Sequence, residues 1–107
     1  MKDKLTLYFQ TFSNKDLQGL YDMFSFDVTL TDWEISAVGR EDVIAANKKI
    51  FDSVDTISVK PIEFFECDNS YAIKILVVVN RSELIEVVDI ISFNEEGLIE
   101  SIEAYKK

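Results

Sequence analysis

Residues 87–105, VVDIISFNEEGLIESIEAY, decide the fold, because they place two strand-like runs on either side of a short turn. Both runs are rich in residues that favour strands, and NEEG between them contains residues that turns accept. The first run carries one acid, Asp89, on the strand face that it shares with Val87 and Ile91. An unpaired buried carboxylate is costly and tends to neutralise, so this acid requires a partner or a function elsewhere in the chain.

The same pattern extends upstream, so that the C-terminal half of the chain contains four extended runs, at residues 56–66, 71–79, 83–93 and 98–105. The separators CDNS, NRS and NEEG are short and polar, which predicts that neighbouring runs pair as hairpins in an antiparallel meander. Pro61 in the first run predicts an edge strand or a bulge, because proline cannot donate a ladder hydrogen bond.

The N-terminal half contains helical patterns. Two sets of four apolar residues repeat at helical spacing: Leu5, Tyr8, Phe9 and Phe12, then Leu17, Leu20, Tyr21 and Phe24. They predict two short consecutive helices. Ser13 is the predicted cap of the second helix, with Asp16 three residues further on.

A strand and a third helix follow. Residues 27–35, DVTLTDWEI, alternate as a strand does, with Val28, Leu30 and a second acid, Asp32, on one face. Residues 39–54 are predicted to be helical, with an inward stripe of Val43, Asn47, Ile50 and Val54. The order of elements predicts one α+β domain over residues 1–107, in which three N-terminal helices pack on one face of a curved, mostly antiparallel sheet.

Composition excludes several function classes. The formal charge of -9, from 20 acidic and 11 basic residues, would repel phosphate backbones and anionic lipid surfaces, so we expect neither nucleic acid nor membrane as a partner. The N-terminus lacks the apolar run of a signal peptide or anchor, which favours the cytoplasm. The chain has no His, and Cys67 is its only cysteine, expected to be an inert, part-buried thiol. Acid–base chemistry would therefore use Asp, Glu, Tyr or Lys.

Two patterns resemble a known superfamily. NKDLQGLYDMF with VTLTDW shortly behind it, and the closing pair VVDIISFNEEGLIESIEAY, are similar to nuclear transport factor 2-like (NTF2-like) and SnoaL-like proteins, and closest to ketosteroid isomerase. The resemblance covers the whole chain and implies a single cone-shaped NTF2-like domain that encloses a pocket. It also implies an isomerase that moves a proton next to a carbonyl without a cofactor.

The resemblance assigns a role to three side chains. Asp32 falls on the catalytic base, and Tyr8 and Asp89 fall on the two donors that hold the oxyanion. Without the alignment, the residues indicate that these three polar groups point into one interior, since Tyr8 lies on the core face of its helix and both acids lie on apolar strand faces. The predicted pocket wall comprises Phe12, Phe24, Leu30, Val87 and Ile91. Burial should raise the pKa of Asp89, and a neutral carboxyl can donate to an oxyanion.

Each of these residues also has a structural interpretation. Tyr8 could be a core tyrosine whose hydroxyl bonds the backbone, and Asp32 could close a turn at the strand end. Asp89 could be held by backbone N–H groups or a tyrosine hydroxyl. A metal site has little support, because no ligand-spaced acidic motif is present.

Two functions from different classes follow. One is a cofactor-independent isomerase acting on a small apolar molecule that contains a carbonyl group. The other is a non-catalytic module whose interior binds an apolar metabolite or is filled by side chains. In both, Leu76, Val78, Val88 and Ile90 should form an apolar outer sheet face, which predicts a homodimer.

Overall fold

The helices lie in the N-terminal half of the chain and the long strands in its C-terminal half, in a computed structural model that describes residues 1–107. The helices are α1 (Lys2–Ser13), α2 (Leu17–Met23) and α3 (Arg40–Asp52). The strands are β1 (Phe24–Thr31), β2 (Ser36–Val38), β3 (Ile57–Cys67), β4 (Ser70–Val79), β5 (Glu83–Phe93) and β6 (Ile99–Lys106). The predicted α+β class is confirmed.

All six strands form one curved sheet in the order β2-β1-β6-β5-β4-β3. The predicted meander from β3 to β6 is confirmed, because each successive pair is antiparallel. β1 runs parallel to β6, which joins the N-terminal hairpin of β1 and β2 to the meander. Pro61 lies on the edge strand β3 beside a shift of register, so both of its predicted consequences are present.

The helices cover one face of this sheet. α1 packs over β3, and α3 packs over β1 and β2. The inward residues of both layers form one buried core, to which α1 contributes Leu5, Tyr8 and Phe9 and β5 contributes Val87, Ile91 and Phe93. Asp89 therefore lies on the buried face of β5, as its position in the sequence predicts. None of the three helices has the length and apolar character needed to cross a membrane.

Four local predictions are wrong. The stretch predicted as one strand turns back at Asp32, and residues 36–38 form the short strand β2. Phe24 starts β1 instead of ending α2, although it is buried as expected. The cap of α2 is Asp16, which accepts from the Gly19 backbone N–H at 3.0 Å. Cys67 is exposed at the end of β3.

Ser13 has a different structural role. It is the last residue of α1, where its hydroxyl donates to the Phe9 carbonyl and accepts from the Val59 backbone N–H, both at 2.8 Å. The bond to Val59 ties the end of α1 to strand β3. Ser13 therefore fixes the helix over the sheet at one side of the space between the two layers.

Candidate functional site

A cavity of about 300 Å³ lies between the helices and the sheet. Of its 22 lining residues, 17 are hydrophobic, which leaves only a few polar groups among an apolar wall. The other five are Asp32, Glu34, Asn47, Ser53 and Asp89, and the Tyr8 hydroxyl adds one more polar group. A concave, mostly apolar space with a few convergent polar groups is the usual form of a small-molecule site, and this volume is near the lower end of the usual range.

Tyr8 enters the cavity from α1. The helix places it between Leu5 and Phe9 on the buried face, and its ring lies 5.2 Å from that of Phe9 and 6.3 Å from that of Phe24. The other three tyrosine hydroxyls donate to glutamates, whereas the Tyr8 hydroxyl has no partner in the chain. Burial and then the nearby Asp89 charge raise the pKa of Tyr8, so it remains a neutral donor.

Asp89 enters from the opposite wall, on β5, and is 7% exposed. Its strand neighbours on that face are Val87 and Ile91, both buried. Burial first, and the Asp32 charge second, raise the pKa of Asp89 from its ordinary value of 3.8 to about 7. No hydrogen bond contributes to this shift. The structural alternative, a carboxylate held by backbone N–H groups or a tyrosine, is therefore absent.

Asp32 lies directly after β1, where the chain turns back. Its Oδ1 accepts from the backbone N–H groups of Glu34 at 2.7 Å and Ile35 at 2.6 Å, and its own N–H donates to the Ile35 carbonyl. The predicted turn cap is thus present, and the same residue lines the cavity. The turn occupies only Oδ1, because Oδ2 has no partner in the chain. The fixed carboxylate can therefore present its second oxygen to a ligand.

The structure brings Tyr8, Asp32 and Asp89 to one cavity. Of the predicted wall residues, Phe12, Leu30 and Val87 line it. Phe24 and Ile91 do not: both are completely buried in the core, Phe24 behind Tyr8 and Ile91 one inward position beyond Asp89. The spacing of apolar residues along a helix or strand identifies those that point inward. It does not separate residues that line a cavity from residues that pack against other side chains.

Several cavity residues were not predicted. Trp33 and Glu34, both exposed, belong to the turn after β1 and form part of the rim. Ser53, directly after α3, lines another part together with Val54, which was predicted only as an inward residue of that helix. Asn47 was predicted only as an inward residue of α3, and the structure places its side chain on the cavity wall. The sequence signal for this position was an asparagine among the inward apolar residues of a helix.

Lys15 holds the wall at the end of α3. From the loop between α1 and α2 it donates to three backbone carbonyls, those of Phe51 at 3.0 Å, Val54 at 2.8 Å and Asp55 at 3.0 Å. The last carbonyls of a helix have no partner within the helix and carry partial negative charge, so an ammonium group stabilises them. This contact joins segments about 40 residues apart and keeps the cavity wall beside Val54 in place.

The carboxylates do not form a metal site. No group of three or more His, Cys, Asp or Glu side chains is close enough to hold a metal ion. Asp32 and Asp89 have unequal surroundings, because one lies at a polar turn and the other on an apolar strand face.

Solved structures share this architecture. An NTF2-like protein from Cytophaga hutchinsonii superposes with a TM-score of 0.83 at 13% identity, over 99% of this chain and 88% of that one. A candidate SnoaL-like isomerase from Agrobacterium tumefaciens gives 0.84 at 12% identity, over 100% and 99%. The chain has the NTF2-like fold. A candidate ketosteroid isomerase from Kribbella flavida superposes with a TM-score of 0.81 at 16% identity, over 94% of this chain and 72% of that one.

The TM-scores of these superpositions show the NTF2-like fold, and the low sequence identities do not show the chemistry. No protein-family model matches the sequence, and no curated protein is significantly similar to it. The function must therefore be argued from the residues of the cavity.

Proposed function

We propose that the protein is a cofactor-independent isomerase that moves a proton next to the carbonyl group of a small apolar molecule. Asp32 is the base that removes the proton beside the carbonyl and then returns it to the γ carbon, while Tyr8 and neutral Asp89 donate hydrogen bonds to the oxygen of the intermediate enolate. The charge that develops on this oxygen would be stabilised by these two donors, in a mostly apolar cavity. The names of the isomerase-like structural neighbours support this chemistry as a hypothesis.

One observation carries the proposal: two buried polar groups from opposite walls, Tyr8 and Asp89, line an apolar cavity and have no other partner. Their polar atoms are not sealed from the cavity, so a ligand oxygen can reach both groups and supply the partner that the chain does not. Because Asp89 is protonated up to a pH of about 7, it can donate where an ordinary aspartate would repel an oxyanion.

The two acids have different surroundings, as this division of roles requires. Asp32 is fixed at the polar turn by two backbone N–H groups, with Oδ2 free. Asp89 has only apolar strand neighbours and is held neutral by burial. Ketosteroid isomerase, which the sequence resembles, uses the same division: a carboxylate base works beside a tyrosine and a protonated acid. The contacts of Asp32 and Asp89 in this chain support the same two roles.

Conversion of 3-cyclohexen-1-one into its conjugated isomer tests the proposal, because the product absorbs in the ultraviolet. Asp32→Asn keeps the shape of the turn but removes the base, so the rate should fall by at least ~10²-fold. Tyr8→Phe removes one oxyanion donor and should also cost about 10²-fold. Asp68→Asn is the matched control, since it is the same substitution at an exposed turn and should change nothing.

The proposal fails if wild type and Asp32→Asn convert a panel of cyclic β,γ-unsaturated ketones at equal rates. Circular dichroism and thermal melting of each variant would separate a catalytic loss from a folding defect. A large loss of stability in Asp32→Asn would assign the residue to its turn alone.

The turn at Asp32 specifically supports a second function, a ligand-binding module without chemistry. The two backbone N–H groups that donate to Oδ1 give Asp32 a structural role at the turn, which does not require a catalytic one. In that function Tyr8 and Asp89 would bind a ligand oxygen, and Asp32→Asn would leave both binding and the slow background rate unchanged. The version of the module in which side chains fill the interior does not fit a cavity of about 300 Å³.

We also propose a homodimer that forms through the outer face of the sheet. Leu76, Val78, Val88 and Ile90 are half-buried there, and Leu84, Phe65 and Tyr105 on the same face are largely exposed. An apolar face of this kind usually marks an interface. Light scattering at tens of micromolar, by order of magnitude for a stable dimer, should give twice the chain mass of 12.3 kDa. Val88→Lys should give the monomer, and a monomeric wild type would contradict the proposal.

A further inference from the structure

Asn47 is a buried polar residue of the cavity that the proposed chemistry does not use. It lies in the middle of α3, is 2% exposed, and its Nδ2 has no hydrogen-bond partner in the chain. Val43, one turn earlier, is completely buried, and Ile50, one turn later, packs against the core. An apolar side chain at position 47 would satisfy this stripe as well.

An unpaired buried amide has a cost that the fold does not require. A buried donor without an acceptor is destabilising, and nearly all such groups in folded proteins are bonded to protein or to water. Asn47 lines the cavity, but its Nδ2 is sealed within the wall, whereas Oδ1 is not; a 180° rotation of the amide exchanges the two atoms and brings the donor to an acceptor among the cavity contents. Water can occupy that place in the free protein, and a ligand oxygen can replace it.

The amide is separate from the oxyanion donors. Tyr8 comes from α1 and Asp89 from β5, whereas Asn47 comes from α3, which packs over β1 and β2. Neither the Tyr8 nor the Asp89 pKa is affected by a hydrogen bond from Asn47. The remaining lining between these positions is mainly apolar, including Leu30, Ile75 and Ile102.

We propose that Asn47 is a ligand-binding and specificity-determining residue, which donates a hydrogen bond from Nδ2 to a second oxygen of the ligand. The ligand is then a compact apolar molecule with two oxygen groups, one at Tyr8 and Asp89 and one at α3. This inference rests on the proposed function only for the position of the first oxygen. A hydroxyl group suits the second position best, because it bonds an asparagine amide in either orientation.

Naphthols provide matched probes, because they are apolar, fluorescent and available with one or two oxygens. The dissociation constant of 2-naphthol would be compared with those of the 1,6-, 2,6- and 2,7-dihydroxynaphthalenes, which place the second oxygen at different positions. In the wild type at least one diol should bind about 3- to 10-fold tighter than 2-naphthol, the ratio that corresponds to one net hydrogen bond.

Two variants remove the donor with different volumes. Asn47→Leu keeps the approximate size of the side chain, and Asn47→Ala shortens it. Both should lose the preference for the diol, so that the ratio of its dissociation constant to that of 2-naphthol returns to about 1. Because Asn47 lines the cavity, this ratio decides the comparison and the affinity for 2-naphthol alone does not. If the Leu variant fails to fold, as judged by circular dichroism, the Ala variant decides the comparison.

The proposal is overturned if no diol binds tighter than 2-naphthol, if the preference survives in the folded variants, or if none of the probes binds to the wild type. Its failure is distinguishable from failure of the proposed function. The isomerisation rate and its dependence on Asp32 are measured on a substrate with one oxygen, which does not require Asn47.

Discussion

Replacing Asp89 by Asn should change the pH dependence of stability. The folded protein holds the Asp89 proton up to a pH of about 7, whereas the ordinary pKa is 3.8. Below pH 3.8, Asp89 is protonated in both the folded and the unfolded chain, so it does not change how the unfolding free energy depends on pH. Between 3.8 and 7 only the unfolded chain releases the proton, so unfolding becomes more favourable as pH rises. Above 7 the difference is constant.

The size of this loss of stability follows from the difference between the folded and unfolded pKa values of Asp89. Each pH unit between the two pKa values corresponds to about 1.4 kcal/mol, and the interval is about three units, so the wild type loses about 4 kcal/mol of unfolding free energy through this one group. This is a large fraction of the roughly 5–15 kcal/mol that stabilises a typical domain. Asn at this position cannot ionise and does not incur the loss.

Urea denaturation of wild type and Asp89→Asn at several pH values between about 3.5 and 8.5 measures the effect. Other carboxylates titrate in both proteins, so the difference between the two curves isolates Asp89. The unfolding free energy of Asp89→Asn minus that of the wild type should increase by about 3–4 kcal/mol from the acid to the neutral end of the range. Parallel curves would refute the reasoning, because they would mean that Asp89 titrates alike in the folded and unfolded chains. Asp68→Asn, at an exposed turn, is the control that should give parallel curves.

Two further predictions concern the site and its support. The isomerisation rate of the wild type should fall as pH rises through about 7, because ionised Asp89 no longer donates a hydrogen bond. The rate of Asp89→Asn, measured at the same pH values, should not show this fall. A wild-type rate that rises across this interval would contradict the donor role. Lys15→Met leaves three carbonyls of the α3 end without their ammonium partner and should lower the unfolding free energy by about 2–3 kcal/mol. Lys4→Met, which loses one exposed bond to the Gly97 carbonyl, should cost under about 1 kcal/mol in the same urea titration, and equal losses would show that the three-carbonyl contact adds nothing.

Much of the fold follows from periodicity in the sequence. The face of α1 and the inward face of β5 are visible as spacings of apolar residues, which is why Tyr8 and Asp89 could be assigned to one interior. The limits are equally physical. The spacing from Tyr21 to Phe24 continues a helical pattern past the point where the chain becomes extended, and three-residue β2 is too short and exposed to give any pattern.

The contacts between distant segments could not be predicted. The parallel pairing of β1 with β6 and the contact of Lys15 with the end of α3 join residues far apart in the chain, and no local pattern records either. Asn47 illustrates the same limit within the site. Its inward direction follows from helical spacing, but the absence of a partner for its amide depends on every element around the cavity.

Carbon-detected NMR titration of the Asp89 carboxyl group, in the free protein and with saturating 2-naphthol, tests the central claim most directly. Asp89 should titrate at about 7 in the free protein, and its pKa should rise when the probe oxygen accepts a hydrogen bond from the protonated acid. A pKa near the ordinary value of about 3.9, or one that 2-naphthol leaves unchanged while it binds, would contradict the claim that Asp89 is a neutral donor to a ligand oxygen.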